Sequence, residues 1–166
     1  PALLGGFVMS AVVDENTLMY RKLHWPEKWK IIISQPDFKL STKRARAILP
    51  ENVPLKDAIY NLSCCSFLVS AVCNGDEEAL KHSLNDKLHQ PYRSKLVPGL
   101  TTIMSELSKT KVLGTVLSGA GPSICVITSA NNNDEVVDII KTIWQKENIG
   151  CEFFFPDVDN AGLHYV

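Results

Sequence analysis

Leu117-Ser118-Gly119-Ala120-Gly121-Pro122-Ser123 stands between two apolar runs, Val112-Leu113-Gly114-Thr115-Val116 before it and Ile124-Cys125-Val126-Ile127 after it. Two short β-branched runs around a Gly/Pro/Ser cluster are the pattern of two strands joined by a turn. The glycines on either side of Ala120 permit positive φ or a close backbone approach, and Pro122 fixes the exit. The turn is therefore expected to be tight and buried. Consecutive amide N–H groups on such a turn make a concavity that suits an anion. A plain hairpin connection has the same residue pattern, and spacing alone does not choose between the two.

Upstream of this hairpin, Gly6 to Val13 and Leu18 to Lys22 read as paired strands around the polar turn Asp14-Glu15-Asn16, the first as a central strand or buried turn. Trp25-Pro26 interrupts regular structure, and Trp29 to Ser34 is a short β-branched strand. After the turn Gln35-Pro36-Asp37, Ser41 or Thr42 caps a helix running through Arg46 and Ile48 to Pro50. Leu55 to Cys73 is a long apolar helix ended by Asn74-Gly75. Asp76 begins another with Leu80, Leu84 and Leu88 on one face, and it stops near His89 because Gln90 precedes a proline. Pro98 to Leu107 is a further helix. Downstream, Asp134 to Gln145 is amphipathic with Val137, Ile140 and Trp144 inward, and Cys151 to Phe155 is a last strand. Strands mixed with helices in this way predict an α+β fold: a two-layer sandwich, with a mostly antiparallel sheet covered by helices on one face. No repeat, low-complexity tract or linker divides residues 1–166, so a single domain is expected.

The bulk properties exclude several function classes. The chain has 166 residues, enough to bury a core, with 45% hydrophobic and 21% charged residues. Its 17 basic and 18 acidic side chains leave a net charge of -1. That balance offers no field for nucleic acid or an anionic membrane. Five cysteines without paired CxxC spacing read as buried thiols of a reducing compartment, not as metal ligands. No apolar run is long enough to span a bilayer, and a cytoplasmic setting is expected. The opening Pro1-Ala2-Leu3-Leu4-Gly5-Gly6-Phe7 lacks an initiator methionine and runs straight into an apolar stretch, which predicts further polypeptide upstream.

Two polar clusters accompany the glycine loop. Thr42 and Arg46 are four residues apart, so on a helix they share a face and would together hold a carboxylate or phosphate. A cap followed by solvated basic residues is the alternative. Arg93, in His89-Gln90-Pro91-Tyr92-Arg93, follows a proline that fixes the backbone, and a guanidinium grips a carboxylate with two parallel hydrogen bonds. Here the alternative is an exposed arginine in a turn.

Leu117 to Ser123 resembles the third conserved motif of the GHMP kinases. Within that family, His89 to Arg93 followed by Leu96-Val97-Pro98-Gly99 is similar to the homoserine kinases. So are Leu40-Ser41-Thr42 with Ala45-Arg46, the opening Pro1 to Phe7, and the tail Asp159-Asn160-Ala161-Gly162. The resemblance covers nearly the whole chain. It implies the ferredoxin-like C-terminal domain of an enzyme that moves the γ-phosphoryl group of ATP to the hydroxyl of L-homoserine, in threonine biosynthesis. It implies that Arg93 binds the homoserine carboxylate and that Thr42 and Arg46 belong to the substrate and phosphate region. Ser118, Gly119, Ala120 and Gly121 would support the nucleotide's loop without being catalytic. Many relatives have serine where Ala120 stands, so phosphate contact from the middle of the loop is not expected here.

The resemblance also implies an N-terminal ATP-binding domain that these residues lack. Neither a proline-led run of glycines, serines and alanines nor an acidic magnesium ligand with its loop is present. ATP and Mg2+ would be bound mainly by that missing half, and the chain alone is expected to be inactive. No residue here is assigned a catalytic or metal-binding role. Two rival readings remain. A carboxylate clamp serves an amino-acid-binding regulatory module equally well, or another small-molecule kinase of the family such as mevalonate kinase. The small apolar stretch Ser63-Cys64-Cys65-Ser66-Phe67 leaves open a homodimer, with core packing as its other use.

Overall fold

The computed structural model describes residues 3–164. In chain order the elements are β1 (Phe7–Asp14), β2 (Thr17–Leu23), β3 (Lys30–Pro36), α1 (Thr42–Ala47), α2 (Leu55–Asn74), α3 (Glu77–Ser83) and α4 (Gln90–Arg93). A single 3-10 turn, Ser94–Leu96, then leads into α5 (Leu100–Leu107), β4 (Val112–Leu117), β5 (Ile124–Thr128), α6 (Asn133–Lys146) and β6 (Cys151–Phe154). Four strands form one antiparallel sheet in the order β4-β5-β3-β6. The turn around Gly119 is thus a hairpin connection, with Leu117 opposite Ile124.

Side-chain alternation along β5 builds the core. Ile124 and Val126 face one way and join Ile32 and Leu117 under Leu100, Ile103 and Leu107 of α5 and Val136, Ile140 and Trp144 of α6. These two helices are the expected layer. The opposite face is covered as well, because Ile127 and Leu113 meet Ala71 and Val72 of α2 and Leu80 of α3. Trp25 and Trp29, which flank the interruption at Pro26, fill this second cluster edge to face at 5.4 Å, and Trp25 Nε1 donates to the Trp29 carbonyl at 3.0 Å.

Several local expectations are corrected. On α6 the buried apolar residue of the first turns is Val136, since the positions 136, 140 and 144 lie four apart and Val137 falls to the flank. Helix α3 ends at Ser83, short of His89: the Ser83 hydroxyl and the Asn85 amide donate to the Leu80 and His82 carbonyls, at 2.9 Å each, and close the last turn. Helix α2 ends as foreseen, on Gly75 in the left-handed region (φ 63). The thiols are not uniformly buried. Cys64 is buried, its neighbour Cys65 and Cys73 are exposed, and Cys125 and Cys151 lie between. One residue along a helix turns a side chain by about 100°, which carries Cys65 out of the core that holds Cys64.

The opening strands do not join the main sheet. Among the described residues β1 and β2 pair only with each other, from Phe7 opposite Leu23 to Asp14 opposite Thr17. Their apolar side chains Val12, Val13, Leu18, Met19 and Tyr20 are at least half exposed, so β1 is neither central nor buried. At the hairpin's base Phe7 packs on the Trp25 ring at 5.8 Å. The opening motif meets the tail: Gly6 N–H donates to the Asp159 carbonyl at 2.7 Å and Leu163 N–H to the Leu3 carbonyl at 3.2 Å. Lys22 bridges the two by donating to the carbonyls of Leu4 and Asn160. A Cβ on Gly162 would lie 2.6 Å from the Leu3 carbonyl oxygen, so glycine is required there. Pro1 and Ala2 of the motif lie outside the described residues.

Candidate functional site

Beyond the buried Leu117 the glycine loop is tight but not buried: Ser118 and Gly119 are exposed and Ala120 to Ser123 half-buried, because the turn projects beyond the end of the sheet. Gly119 and Gly121 take positive φ (61 and 80), and the Gly121–Pro122 peptide is cis. Ser118 N–H donates to the Ser123 carbonyl at 2.8 Å and Gly121 N–H to the Ser118 carbonyl at 3.1 Å. Two of the loop's donors are therefore spent in shaping the turn and do not face outward.

Helix α1 is placed beside the loop by a cap and an anchor. The Ser41 hydroxyl accepts from Arg44 N–H at 3.1 Å, which settles the cap on Ser41 and leaves Thr42 in the first turn. Ala45 is fully buried, and Thr42 and Arg46 are exposed one turn apart. A groove of about 550 Å3 separates the start of α1 from the loop, lined by Gln35, Phe38, Leu40, Thr42, Pro122 and Ser123.

Arg93 connects the three clusters. Its Nε–H donates to the Ala45 carbonyl at 3.1 Å and its Nη1 to the Gly119 carbonyl at 3.3 Å, with His89 Nδ1 at 3.4 Å. Among the described residues neither Arg93 nor Arg46 belongs to an ion pair. Of the predicted residues, Arg93, the carrier helix of Thr42 and Arg46, and Gly119 are thus brought together. Thr42 lines the groove, whereas Arg46 and Arg93 do not.

Sequence reasoning overlooked what holds Arg93 in place. Gln90 is buried, and its Oε1 accepts from Leu117 N–H at 2.8 Å, tying α4 to the strand that enters the loop. Asp86, with a side chain 8% exposed, accepts from the N–H groups of His89 at 2.8 Å and Gln90 at 2.5 Å and from the Asn61 amide at 2.6 Å. Burial opposes its charge. The N–H groups of Gln90, His89 and Leu88 and the Asn61 amide outweigh that and hold the carboxyl below its ordinary value. The available signal was an aspartate shortly ahead of a proline, the order of a helix N-terminus. A second cavity of about 520 Å3, between α3, α5 and β4, also has Asp86 and Gln90 in its wall. No three His, Cys, Asp or Glu side chains among the described residues converge as metal ligands. No described helix is long and apolar enough to cross a membrane.

An arginine fixed between two backbone carbonyls, beside a threonine-lined groove and a glycine turn, suits a small anionic ligand. Residues 68–147 match the family model described as GHMP kinases C terminal. The homoserine kinase of Aquifex aeolicus is 42% identical over 146 residues, which are 88% of this chain and 48% of that protein. That of Natranaerobius thermophilus is 39% identical over 100% of this chain and 53% of its own length. The chain thus spans about half the length of the curated relatives it matches. The crystal structure of homoserine kinase from Cytophaga hutchinsonii superposes with a TM-score of 0.89 at 29% identity, over 98% of this chain and 51% of that one. From the shared fold, the matched residues 68–147 and relatives aligned along almost the whole sequence, this chain has the fold of a GHMP kinase C-terminal domain and is similar to the C-terminal half of homoserine kinases.

Proposed function

We propose that this chain is the substrate-binding portion of a homoserine kinase, which transfers the ATP γ-phosphoryl group to the L-homoserine hydroxyl to give O-phospho-L-homoserine. The observation that carries it is Arg93, fastened through Nε and Nη1 to the Ala45 and Gly119 carbonyls, with no carboxylate partner among the described residues. Backbone carbonyls orient a guanidinium without cancelling its charge, so Arg93 remains available to the α-carboxylate of an amino acid. Phosphoryl transfer asks a protein chiefly to position its reactants and neutralise charge. In this reading Arg93 holds one end of homoserine, Thr42 and Arg46 line the approach from α1, and Ser118, Gly119, Ala120 and Gly121 brace the nucleotide's loop.

ATP and its Mg2+ belong mainly to an N-terminal half outside this sequence, and no step is assigned here to a metal. The chain alone is accordingly inactive, in a protein of the cytoplasm.

The test is ADP release by the full-length polypeptide with magnesium ATP and, separately, L-homoserine, mevalonate, galactose and L-threonine. Release with homoserine alone is expected. Turnover of a different alcohol would cancel the subfamily, and silence with all four would make the site an amino-acid-sensing one.

A further inference from the structure

Helix α4 has four residues, too few to be stable by itself, so its direction must come from bonds to its neighbours. At its end, Arg93 reaches α1 and the glycine loop. At its start, Asp86 accepts two of its otherwise unpaired N–H groups, those of His89 and Gln90. Asp86 is itself fixed from α2, the longest helix. Asn61 gives its amide to Asp86 at 2.6 Å and takes Lys87 N–H on its carbonyl oxygen at 2.9 Å. The same face of α2 holds the Lys87 side chain, with Nζ 4.2 Å from the Tyr60 ring centroid and 3.8 Å from Asp57. One continuous run of contacts therefore leads from the body of α2 through Asn61 and Asp86 into α4 and out through Arg93 to Gly119.

We infer that Asp86, held by Asn61, is a positioning residue for Arg93: it fixes α4 so that the guanidinium lies between the Ala45 and Gly119 carbonyls. This rests on the proposal that Arg93 binds the substrate carboxylate. Loss of the Asp86 carboxylate frees the start of α4, and a helix of one turn cannot keep its last side chain aimed once its first turn moves. The effect falls on amino-acid binding first, because the guanidinium is what is released, while the glycine loop keeps its shape through its own bonds from Ser118 N–H to the Ser123 carbonyl and from Gly121 N–H to the Ser118 carbonyl.

The experiment is a cycle of variants in the full-length polypeptide, with KM for homoserine, KM for ATP and kcat measured for each. Arg93→Ala is expected to raise KM for homoserine about 100-fold, and Asp86→Ala about tenfold. Both should leave KM for ATP within about twofold. The double variant should be no worse than Arg93→Ala, because Asp86 acts through that arginine. Asp86→Asn keeps an accepting oxygen and should restore most of the loss; Asn61→Ala should reproduce Asp86→Ala in milder form. Equal worsening of both KM values, or full additivity in the double variant, would reduce Asp86 to a general stabiliser and overturn the inference. An effect of Arg93→Ala without one of Asp86→Ala overturns it too. No effect of Arg93→Ala refutes the proposed site instead, and amide exchange then judges the latch alone. Faster exchange at His89 and Gln90 in Asp86→Ala supports it, and unchanged protection there refutes it.

Discussion

Gln90 Oε1 accepts the Leu117 N–H at 2.8 Å, a bond that joins a helix start to the strand entering the glycine loop across 27 residues. Both groups are buried, so neither has water as a substitute partner. Gln90→Leu keeps the volume and orphans the amide. A loss of about 1–3 kcal/mol is expected from urea unfolding, and a loss under about 0.5 kcal/mol would show the amide had found another partner.

Asp86 makes stability depend on acid. Its carboxyl is held below the ordinary aspartate value in the folded state, so its contribution is present above that ordinary value and lost as pH falls through the depressed one. Thermal unfolding of the parent chain and Asp86→Asn between about pH 6 and pH 3 should give two curves that converge on acidification. Glu77, lowered mainly by its hydrogen bond to Lys28, titrates in both proteins and cancels in the comparison. Parallel curves would mean that Asp86 carries no extra share.

Two glycines separate backbone strain from collision. Gly119 has φ +61 with nothing within 4 Å of an added Cβ, so Gly119→Ala should cost only the left-handed backbone, about 1–2 kcal/mol. Gly162 has φ +78 and would place its Cβ 2.6 Å from the Leu3 carbonyl oxygen and 2.6 Å from the Leu4 carbonyl carbon. Gly162→Ala should therefore shift the urea midpoint clearly further than Gly119→Ala. Equal shifts would show that the tail moves away from residues 3–5 at little cost.

Thiol labelling reads the same distinction between inside and outside. Cys65 and Cys73 are exposed, whereas burial pushes the Cys125 thiol up to about 11 and raises Cys151 as well. With Ellman's reagent at pH 8, the folded chain should react at two fast sites, and the rest should appear on denaturation. Five equally fast thiols would contradict the packing of α2 and β5.

The parts of the fold that were legible in the sequence are those written in short-range chemistry. The hairpin around Gly119, the Gly75 stop of α2 and the Ile140 and Trp144 part of the α6 stripe each follow from residues within a few positions of one another. The placement of β1 and β2 was not legible, because their apolar alternation says that a surface is covered without saying by what. The site divides in the same way. Arginine chemistry marked Arg93 as a candidate, but its hold on Ala45 spans 48 residues and no local pattern encodes it. Gln90 registered only as the residue before a proline, and its side-chain Oε1 proves to be the tie between α4 and β4.

The bond from Gly6 to the Asp159 carbonyl closes a loop of roughly 150 residues, nearly the whole sequence. Such a contact cannot help the chain find its fold, since its entropy of closure is met only after the sheet has brought its two partners near. It is thus among the last contacts to form and the first to open. A protease sampling the native protein should cut first around Asn160, and the four-stranded sheet should outlive that cut.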